Sequence, residues 1–179
     1  PAPARLAILS PVSSDDQADA QLAQVRPDIF VLTALCPAWY EVGSDGLWKL
    51  GFTSDKQIYH VFARYHRVWL VPFVEVRAGA DLRPEDIEAR GSEINADGFV
   101  IVFKEWPGDE WYASFREKMR LSKLRILIGT VDPQGGVARL RPLGRGFEFV
   151  GGRDDAIEVK VAPRSSIQEL SATDDGKPM

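Results

Sequence analysis

Short apolar segments alternate with amphipathic segments of helix length between Arg5 and Val131. The apolar segments are RLAILSP, DIFVLTALCP, VWLVPFVEV, DGFVIVF and KLRILIGTV, and each carries hydrophobic residues at consecutive positions. Strands that are apolar on both faces are typical of parallel sheets covered by helices. The pattern therefore predicts an α/β protein with a parallel sheet, whose strands end at a common rim where ligands usually bind.

Four helices are expected between these strands. SSDDQADAQLAQV begins with serine and aspartate, which are typical N-cap residues. TSDKQIYHVFARYHRV offers Thr53 or Ser54 as its cap. RPEDIEARGSEI has proline in its first turn, and GDEWYASFREKMRLS has Trp111, Phe115 and Met119 along one face.

The alternation stops after Val131. The segments TVDPQGGVARLRP and GFEFVGGRDDAIEVKV each predict two strands joined at a glycine pair, so we expect β-hairpins in the C-terminal third. Residues 164–179 are polar and predict a loose tail or a short surface helix. The sequence thus predicts one barrel-like domain over residues 1–163, followed by a polar tail over 164–179.

Composition excludes several classes of function. The 179 residues carry a formal net charge of −4, and the basic residues are scattered, which argues against nucleic-acid binding. No apolar run approaches the ~20 residues of a membrane span, so no membrane insertion is expected. The single cysteine, Cys36, excludes an internal disulfide, and His60 and His66 are not spaced as zinc ligands on one helix face. We therefore expect neither a metal nor a cofactor.

Three segments carry a family resemblance. PDIFVLTALCPAWYEVGSDGLW resembles the second strand of family 18 glycoside hydrolases, the chitinase-like group, where an apolar strand ends in an aromatic pair before a short Asp-Gly turn. VWLVPFVEV resembles the third strand of that family. ADGFVIVFKEW resembles the fourth, whose motif is Asp-Gly-x-Asp-x-Asp-x-Glu. The nearest subgroup is the bacterial one associated with spore cortex and peptidoglycan.

The resemblance implies that the catalytic apparatus of the family is missing. Asp97 and Gly98 match the first two motif positions. Because alternate strand residues face the barrel interior, the two inner aspartates would fall at Val100 and Val102, and the catalytic glutamate at Lys104. A lysine ammonium is a poor acid at neutral pH and brings the wrong charge to an oxocarbenium-like transition state. The family's Met-x-Tyr-Asp element on the sixth strand is also absent, since the corresponding position reads KVAP.

The resemblance further implies an incomplete TIM barrel. A barrel of this type needs eight strand–helix units, and about five are present before the pattern changes. We expect either a shortened barrel, closed by the hairpins after Val131, or a fragment of a larger polypeptide. The resemblance also implies an extracytoplasmic or cell-envelope location.

Aromatic side chains at the predicted strand ends are candidates for ligand binding. Trp39 and Tyr40 follow the second strand and Trp106 follows the fourth, so they would lie near one rim. Exposed rings there would stack on the C–H faces of sugars. Burial in the core is the commoner use of such residues and is the alternative interpretation.

Glu75 and Lys104 are the charged candidates at the same rim. Glu75 could act with Glu105, or with Asp109, as a non-standard acid pair in an active carbohydrate hydrolase. The alternative is that Glu75 forms an ion pair with Lys104 or Arg77, because a partly buried carboxylate is less costly when it is paired.

The leading hypothesis is a non-catalytic domain that binds a glycan of chitin or peptidoglycan type, or a protein partner, at the rim. The predicted binding residues are Trp39, Tyr40, Glu75, Lys104 and Trp106, with Glu75 and Glu105 as the leading catalytic candidates. Two alternatives stay open: an active hydrolase that uses this acid pair, and a structural or assembly domain of a larger envelope protein or oligomer.

Overall fold

The computed structural model describes residues 5–46, 48–50, 57–132 and 136–144, together with four strand segments at 157–160, 166–169, 173–174 and 177–178. The strands are β1 (Arg5–Leu9), β2 (Ala34–Val42), β3 (Trp48–Leu50), β4 (Trp69–Leu70), β5 (Phe73–Val76), β6 (Gly98–Phe103), β7 (Arg125–Val131), β8 (Val137–Gly144), β9 (Ile157–Lys160), β10 (Ser166–Glu169), β11 (Thr173–Asp174) and β12 (Lys177–Pro178). The helices are α1 (Asp15–Val25), α2 (Gln57–His66), α3 (Pro84–Ile94) and α4 (Asp109–Met119), and a 3-10 helix spans Arg26–Val31.

One curled sheet organises the molecule, in the strand order β10-β1-β2-β5-β6-β7-β8-β9. The five strands from β1 to β7 in this order run parallel to one another, whereas β8, β9 and β10 pair antiparallel. The two end strands, β9 and β10, come into contact, although no ladder of hydrogen bonds joins them within the described residues. The predicted α/β class with a mostly parallel, barrel-like sheet is therefore confirmed as a half-barrel.

All four helices cover the same face of the sheet. Ala18 of α1, Tyr59 of α2, Ile87 of α3 and Phe115 of α4 belong to one buried cluster, which also contains the outward residues of the strands. A doubly wound sheet would divide its helices between two faces. Helices on one face only are the arrangement of a (β/α) barrel, and this explains why the sheet curls away from them.

The concave face carries a second buried cluster made only of strand residues and their immediate extensions. Its members are mostly small or β-branched: Leu6, Ile8, Ala34, Cys36, Val71, Phe73, Val100, Val102, Leu127, Ala138 and Leu140. They interleave in sequence with the residues that face the helices, as the two-residue period of a strand requires. The inside of the half-barrel is thus a packed apolar core.

Local sequence signals account for the helix ends. The Ser14 hydroxyl accepts a hydrogen bond from the backbone N–H of Gln17 at 3.2 Å, and so caps α1. Pro84 occupies the first turn of α3, whose end is formed by Asn95 in the left-handed conformation at φ 52°. Asparagine tolerates this conformation better than most residues. Of the helices that the structure describes, none is long and apolar enough to cross a membrane.

Two predicted strands differ in detail. The segment 28–37 was expected to be extended throughout, but the 3-10 helix, with Pro27 in its first turn, continues to Val31 and β2 begins only at Ala34. The predicted strand 68–76 is divided into β4 and β5 by Val71 and Pro72, because proline has no N–H to donate to a sheet. In addition, β3 pairs antiparallel with β2 at a place where only a turn was expected.

The C-terminal third confirms one hairpin and corrects the tail. β7 and β8 pair antiparallel, and β8 pairs with β9 in the same way; the predicted turn between β7 and β8 lies partly outside the described residues, which lack 133–135. The proposed second turn lies within 145–156, outside the described residues. Ser166–Glu169, expected to be loose or helical, forms β10 and extends the sheet beside β1. A polar sequence is compatible with this position because β10 lies at the end of the strand order.

Candidate functional site

The residues of the ADGFVIVFKEW segment alternate between the two faces of the sheet along β6, as the two-residue period of a strand predicts. Val100 and Val102 are 0% and 2% exposed and belong to the concave cluster, which confirms that both face the interior of the curled sheet. Lys104 follows Phe103, and its backbone N–H donates to the carbonyl oxygen of Val76 on β5 at 3.0 Å. The lysine therefore stands at the mouth of the concave face, directly above two valines.

Glu75 is the partner of Lys104. Glu75 lies opposite Val102 in the parallel register of β5 and β6, so its side chain shares the inner face. Nζ of Lys104 lies 2.9 Å from Oε1 of Glu75, and the two side chains are 51% and 40% exposed. The predicted ion pair of Glu75 is confirmed, with Lys104 rather than Arg77 as the partner.

A second ion pair lies beside the first. Glu41 is opposite Glu75 in the register of β2 and β5, and its carboxylate pairs with the guanidinium of Arg77. The backbone N–H of Arg77 donates to the carbonyl oxygen of Val42 at 2.9 Å, which fixes the point where the chain leaves β5. The sequence interpretation overlooked Glu41, although its position one residue after the aromatic pair at the end of a parallel strand could have indicated it.

We call Glu41, Glu75, Arg77 and Lys104 the rim quartet. It contains two carboxylates on neighbouring strands and two cations that neutralise them. All four side chains are partly exposed, so the pairs contribute only about 0–1 kcal/mol each to stability. What the quartet provides is a row of alternating hydrogen-bond acceptors and donors across the ends of three strands.

Trp39 and Tyr40 do not form an exposed platform, which corrects their expected placement. The register of β2 against β5 shifts between Ala38 and Tyr40, and this irregularity directs both rings to the helix side. Trp39 is 5% exposed and packs edge-on against Tyr59 of α2, with ring centroids 5.5 Å apart. A ring buried to this extent presents no face to a sugar.

Tyr40 is 7% exposed and lies in the same helix-side cluster. Its ring contacts Trp48 and Phe99 edge-on, at centroid distances of 5.3 and 6.5 Å. Burial, and to a smaller extent the negative charge of Glu93, raise the pKa of the Tyr40 hydroxyl to about 12. Tyr40 is therefore a packing residue of the outer core.

Trp106 is the predicted aromatic residue that remains partly exposed at the rim. It follows β6, and its ring packs against Phe103 and Tyr112 at 5.8 and 5.3 Å. Its Nε1–H donates to the Asp109 carboxylate at 3.3 Å. The contacts hold the indole at the start of α4 while one part of it stays accessible.

Glu75 and Glu105 have different surroundings. Glu105 is exposed beyond the end of β6, whereas Glu75 is paired with Lys104. Asp109, the other acid considered, accepts the hydrogen bond from Trp106. Of the three acids considered for the hydrolase hypothesis, Glu75 and Asp109 are thus each engaged by another side chain.

The Asp-Gly pair at the start of the segment has a structural role. Oδ2 of Asp97 accepts a hydrogen bond from the backbone N–H of Leu70 at 2.8 Å and thereby ties β4 to β6. A Cβ atom on Gly98 would collide with the backbone carbonyl of Arg125 on β7. These contacts give Asp97 and Gly98 a reason to be present that is independent of catalysis.

The remaining reactive side chains serve packing. His60 lies near the ring of Trp39, and His66 packs against Phe62 at a centroid distance of 4.5 Å. Cys36 is fully buried in the concave cluster, where burial raises the pKa of its thiol well above the usual range. In the part of the chain that the structure describes, no group of three or more His, Cys, Asp or Glu side chains could hold a metal ion.

Set against known proteins, the chain matches no family model, no curated protein and no solved structure.

Proposed function

We propose that this chain is a non-catalytic barrel domain, similar to family 18 glycoside hydrolases, that binds a glycan of chitin or peptidoglycan type at the rim of its parallel strands. The observation that carries the proposal is the ion pair between Lys104 and Glu75 at the mouth of the concave face. It occupies the position at which the family resemblance predicts the proton-donating glutamate.

The non-catalytic part of the proposal follows from four side chains. Hydrolysis of a glycosidic bond needs an acid that protonates the leaving oxygen and a second carboxylate that assists the attack. Lys104 supplies a cation instead, and Glu75 is engaged with it. Val100 and Val102 beneath them are fully packed and offer no polar group that could replace an aspartate.

The glycan part of the proposal rests on the chemistry of the rim. Sugar hydroxyls both donate and accept hydrogen bonds, so an alternating row of carboxylates and cations suits them. The rim quartet provides such a row without a net charge, and Trp106 adds a partly exposed indole next to β6. A protein partner at the same rim is the competing occupant, which the experiment below separates.

The proposal includes two finer statements that rest on the resemblance. One is that the half-barrel derives from a TIM barrel and belongs to a larger polypeptide or an oligomer. The other is an extracytoplasmic or cell-envelope location. The single-sided helix layer described above supports only the relation to a TIM barrel.

Calorimetric titration of the protein with chitin oligosaccharides and soluble peptidoglycan fragments tests the proposal, with product release followed in the same samples. We expect saturable binding without products. Lys104→Met and Trp106→Ala should each weaken it about tenfold, whereas Lys118→Met, which removes an exposed lysine from α4, should not. Release of products would establish a hydrolase, and the absence of binding to any glycan would leave a protein partner as the occupant.

A further inference from the structure

The concave face has a second end, opposite the rim, where the parallel strands begin. Trp69 is the first residue of β4 and Arg125 is the first residue of β7, and both are partly exposed. The strand β6 has six residues, so this end lies about 20 Å from Lys104 at the rim. Active sites of (β/α) barrels lie at the rim end, so a site at the strand starts would be separate from the one proposed above.

Gly98 leaves space for the Trp69 and Arg125 side chains to meet. Val100 faces inward on β6, so Gly98, two residues earlier, occupies an inward position but has no side chain. Gly98 also lies opposite Arg125 in the parallel register of β6 and β7. The guanidinium carbon of Arg125 is 3.7 Å from the centre of the Trp69 ring, so the indole holds the guanidinium in place.

The protein meets the charge of Arg125 only in part. The backbone N–H of Arg125 donates to the carbonyl oxygen of Asp97, but Oδ2 of Asp97 accepts from the backbone N–H of Leu70. Nε of Arg125 is buried and has no hydrogen-bond acceptor among the described residues. Since Nε points into the protein and the residue is partly exposed, the accessible part of the guanidinium is the edge that carries Nη1 and Nη2. A partly buried cation is stabilised when an anion binds such an edge.

We propose that this end of the half-barrel binds an oxyanion, the carboxylate or phosphate group of a ligand, through Nη1 and Nη2 of Arg125. The two terminal amino groups of a guanidinium match two oxygens of a carboxylate or a phosphate group. The Trp69 ring fixes the plane of the guanidinium, so less side-chain freedom is lost when the anion binds. The inference does not depend on the proposed glycan binding, because it uses other residues at the opposite end of the strands.

Two further cations lie close to this pair along the chain. Arg67 comes two residues before Trp69, Lys123 comes two residues before Arg125, and both are exposed. Arg67 adopts the left-handed φ of 57° where the chain leaves α2 and turns into β4. Asp97 offsets one of the three positive charges, so the excess among these residues is positive on a chain whose net charge is −4. Such a local excess attracts anions to the starts of β4 and β7.

The test is a calorimetric titration of the whole protein with sodium phosphate and with sodium acetate, at an ionic strength held constant with sodium chloride. We expect saturable binding of at least one anion, with a change in tryptophan fluorescence because Trp69 contacts the guanidinium. Arg125→Met should abolish the binding. Arg125→Lys keeps the charge but not the two parallel donors, so it should weaken binding about fivefold or more. Arg139→Met is the matched control, because it removes an exposed arginine from the neighbouring strand β8.

Each outcome supports or overturns the inference. Saturation by phosphate alone would identify a phosphate group as the ligand, and saturation by acetate alone would identify a carboxylate. Unchanged affinity in Arg125→Lys overturns the inference, even if Arg125→Met does not fold. Failure of both anions to saturate the protein also overturns it, as does an equal loss of binding in Arg139→Met. Lys104→Met should leave anion binding unchanged, so this inference and the proposed function can fail independently.

Discussion

Nζ of Lys104 lies 2.9 Å from Oε1 of Glu75, at the point where β5 and β6 both reach the mouth of the concave face. The pair is half-exposed, so its contribution to stability is small. Its consequence is chemical, because it engages the one carboxylate of the inner face that stands beside the expected position of a catalytic acid.

Lys104→Glu should not create a hydrolase. The substitution places a carboxylate at the position of the family acid, but Val100 and Val102 still leave the inner face without the assisting aspartates. It also sets two carboxylates against each other, so unfolding by urea should show a loss of about 0.5–1 kcal/mol. Measurable release of reducing sugar by this variant would contradict the resemblance on which the site assignment rests.

The coupling between Lys104 and Glu75 should be small and dependent on salt. A double-mutant cycle of Lys104→Met and Glu75→Gln is expected to give a coupling free energy of about 0.2–1 kcal/mol at low ionic strength. The value should fall toward zero in concentrated salt, because the exposed charges are screened. A coupling of several kcal/mol that salt does not change would show that the pair is buried and would contradict the open rim.

Gly98→Ala should be severely destabilising. A Cβ atom there meets the backbone of Arg125, which cannot move without separating β6 from β7, and the expected loss exceeds about 3 kcal/mol. Gly79→Ala is the control, because Gly79 has φ 76° but no atom within 4 Å of the added Cβ. Its cost should be only the ~1–2 kcal/mol of a left-handed alanine. Thermal unfolding of both variants would reveal any deviation from this order.

Trp39→Ala should affect stability rather than act specifically on sugar binding. The indole is buried against Tyr59, and its removal leaves a cavity that costs about 3–5 kcal/mol. Phe30→Ala removes an aromatic ring that is 98% exposed and should change the free energy of unfolding by less than about 0.5 kcal/mol. If Trp39→Ala were as stable as the parent protein, the described packing of α2 on β2 would be incorrect.

Stability should fall at high pH through Tyr40 and Tyr59. Burial raises the pKa of both hydroxyls to about 12 from the usual value of 10.0. Between these values the unfolded chain has lost protons that the folded protein retains, so the free energy of unfolding decreases as pH rises from 10 to 12. Phenolate absorbance should show two tyrosines that ionise late. Tyr40→Phe should make the decrease in stability shallower, and an unchanged slope would contradict its burial.

Sequence reasoning was most successful where a periodic pattern met a regular strand. The inward direction of Val100 and Val102 follows from the two-residue period of β6, and the ion pair of Glu75 follows from its place at the end of the neighbouring strand. Both depend only on local geometry and on a parallel register.

It was less successful where the backbone departs from that period. The irregularity at Ala38 turns Trp39 and Tyr40 toward the helices, and nothing in the sequence PAWYEV predicts this irregularity. Similarly, β10 is specified by its pairing with the distant β1 rather than by its own polar residues. A cleft of about 200 Å³ beside Trp48 is formed by the loop before β3 and the loop before α3, which are far apart in sequence, so no local motif could indicate it.

The pairing of β10 with β1 has a consequence for how the protein is made. Arg5 lies opposite Glu169, so one edge of β1 gains its partner only after synthesis has passed Glu169. Until then the sheet presents an open row of backbone donors and acceptors, which is a template for aggregation between chains. Ser166–Glu169 thus covers the open edge of β1 late in synthesis. We expect a chain that ends before this segment to fold to a state that self-associates.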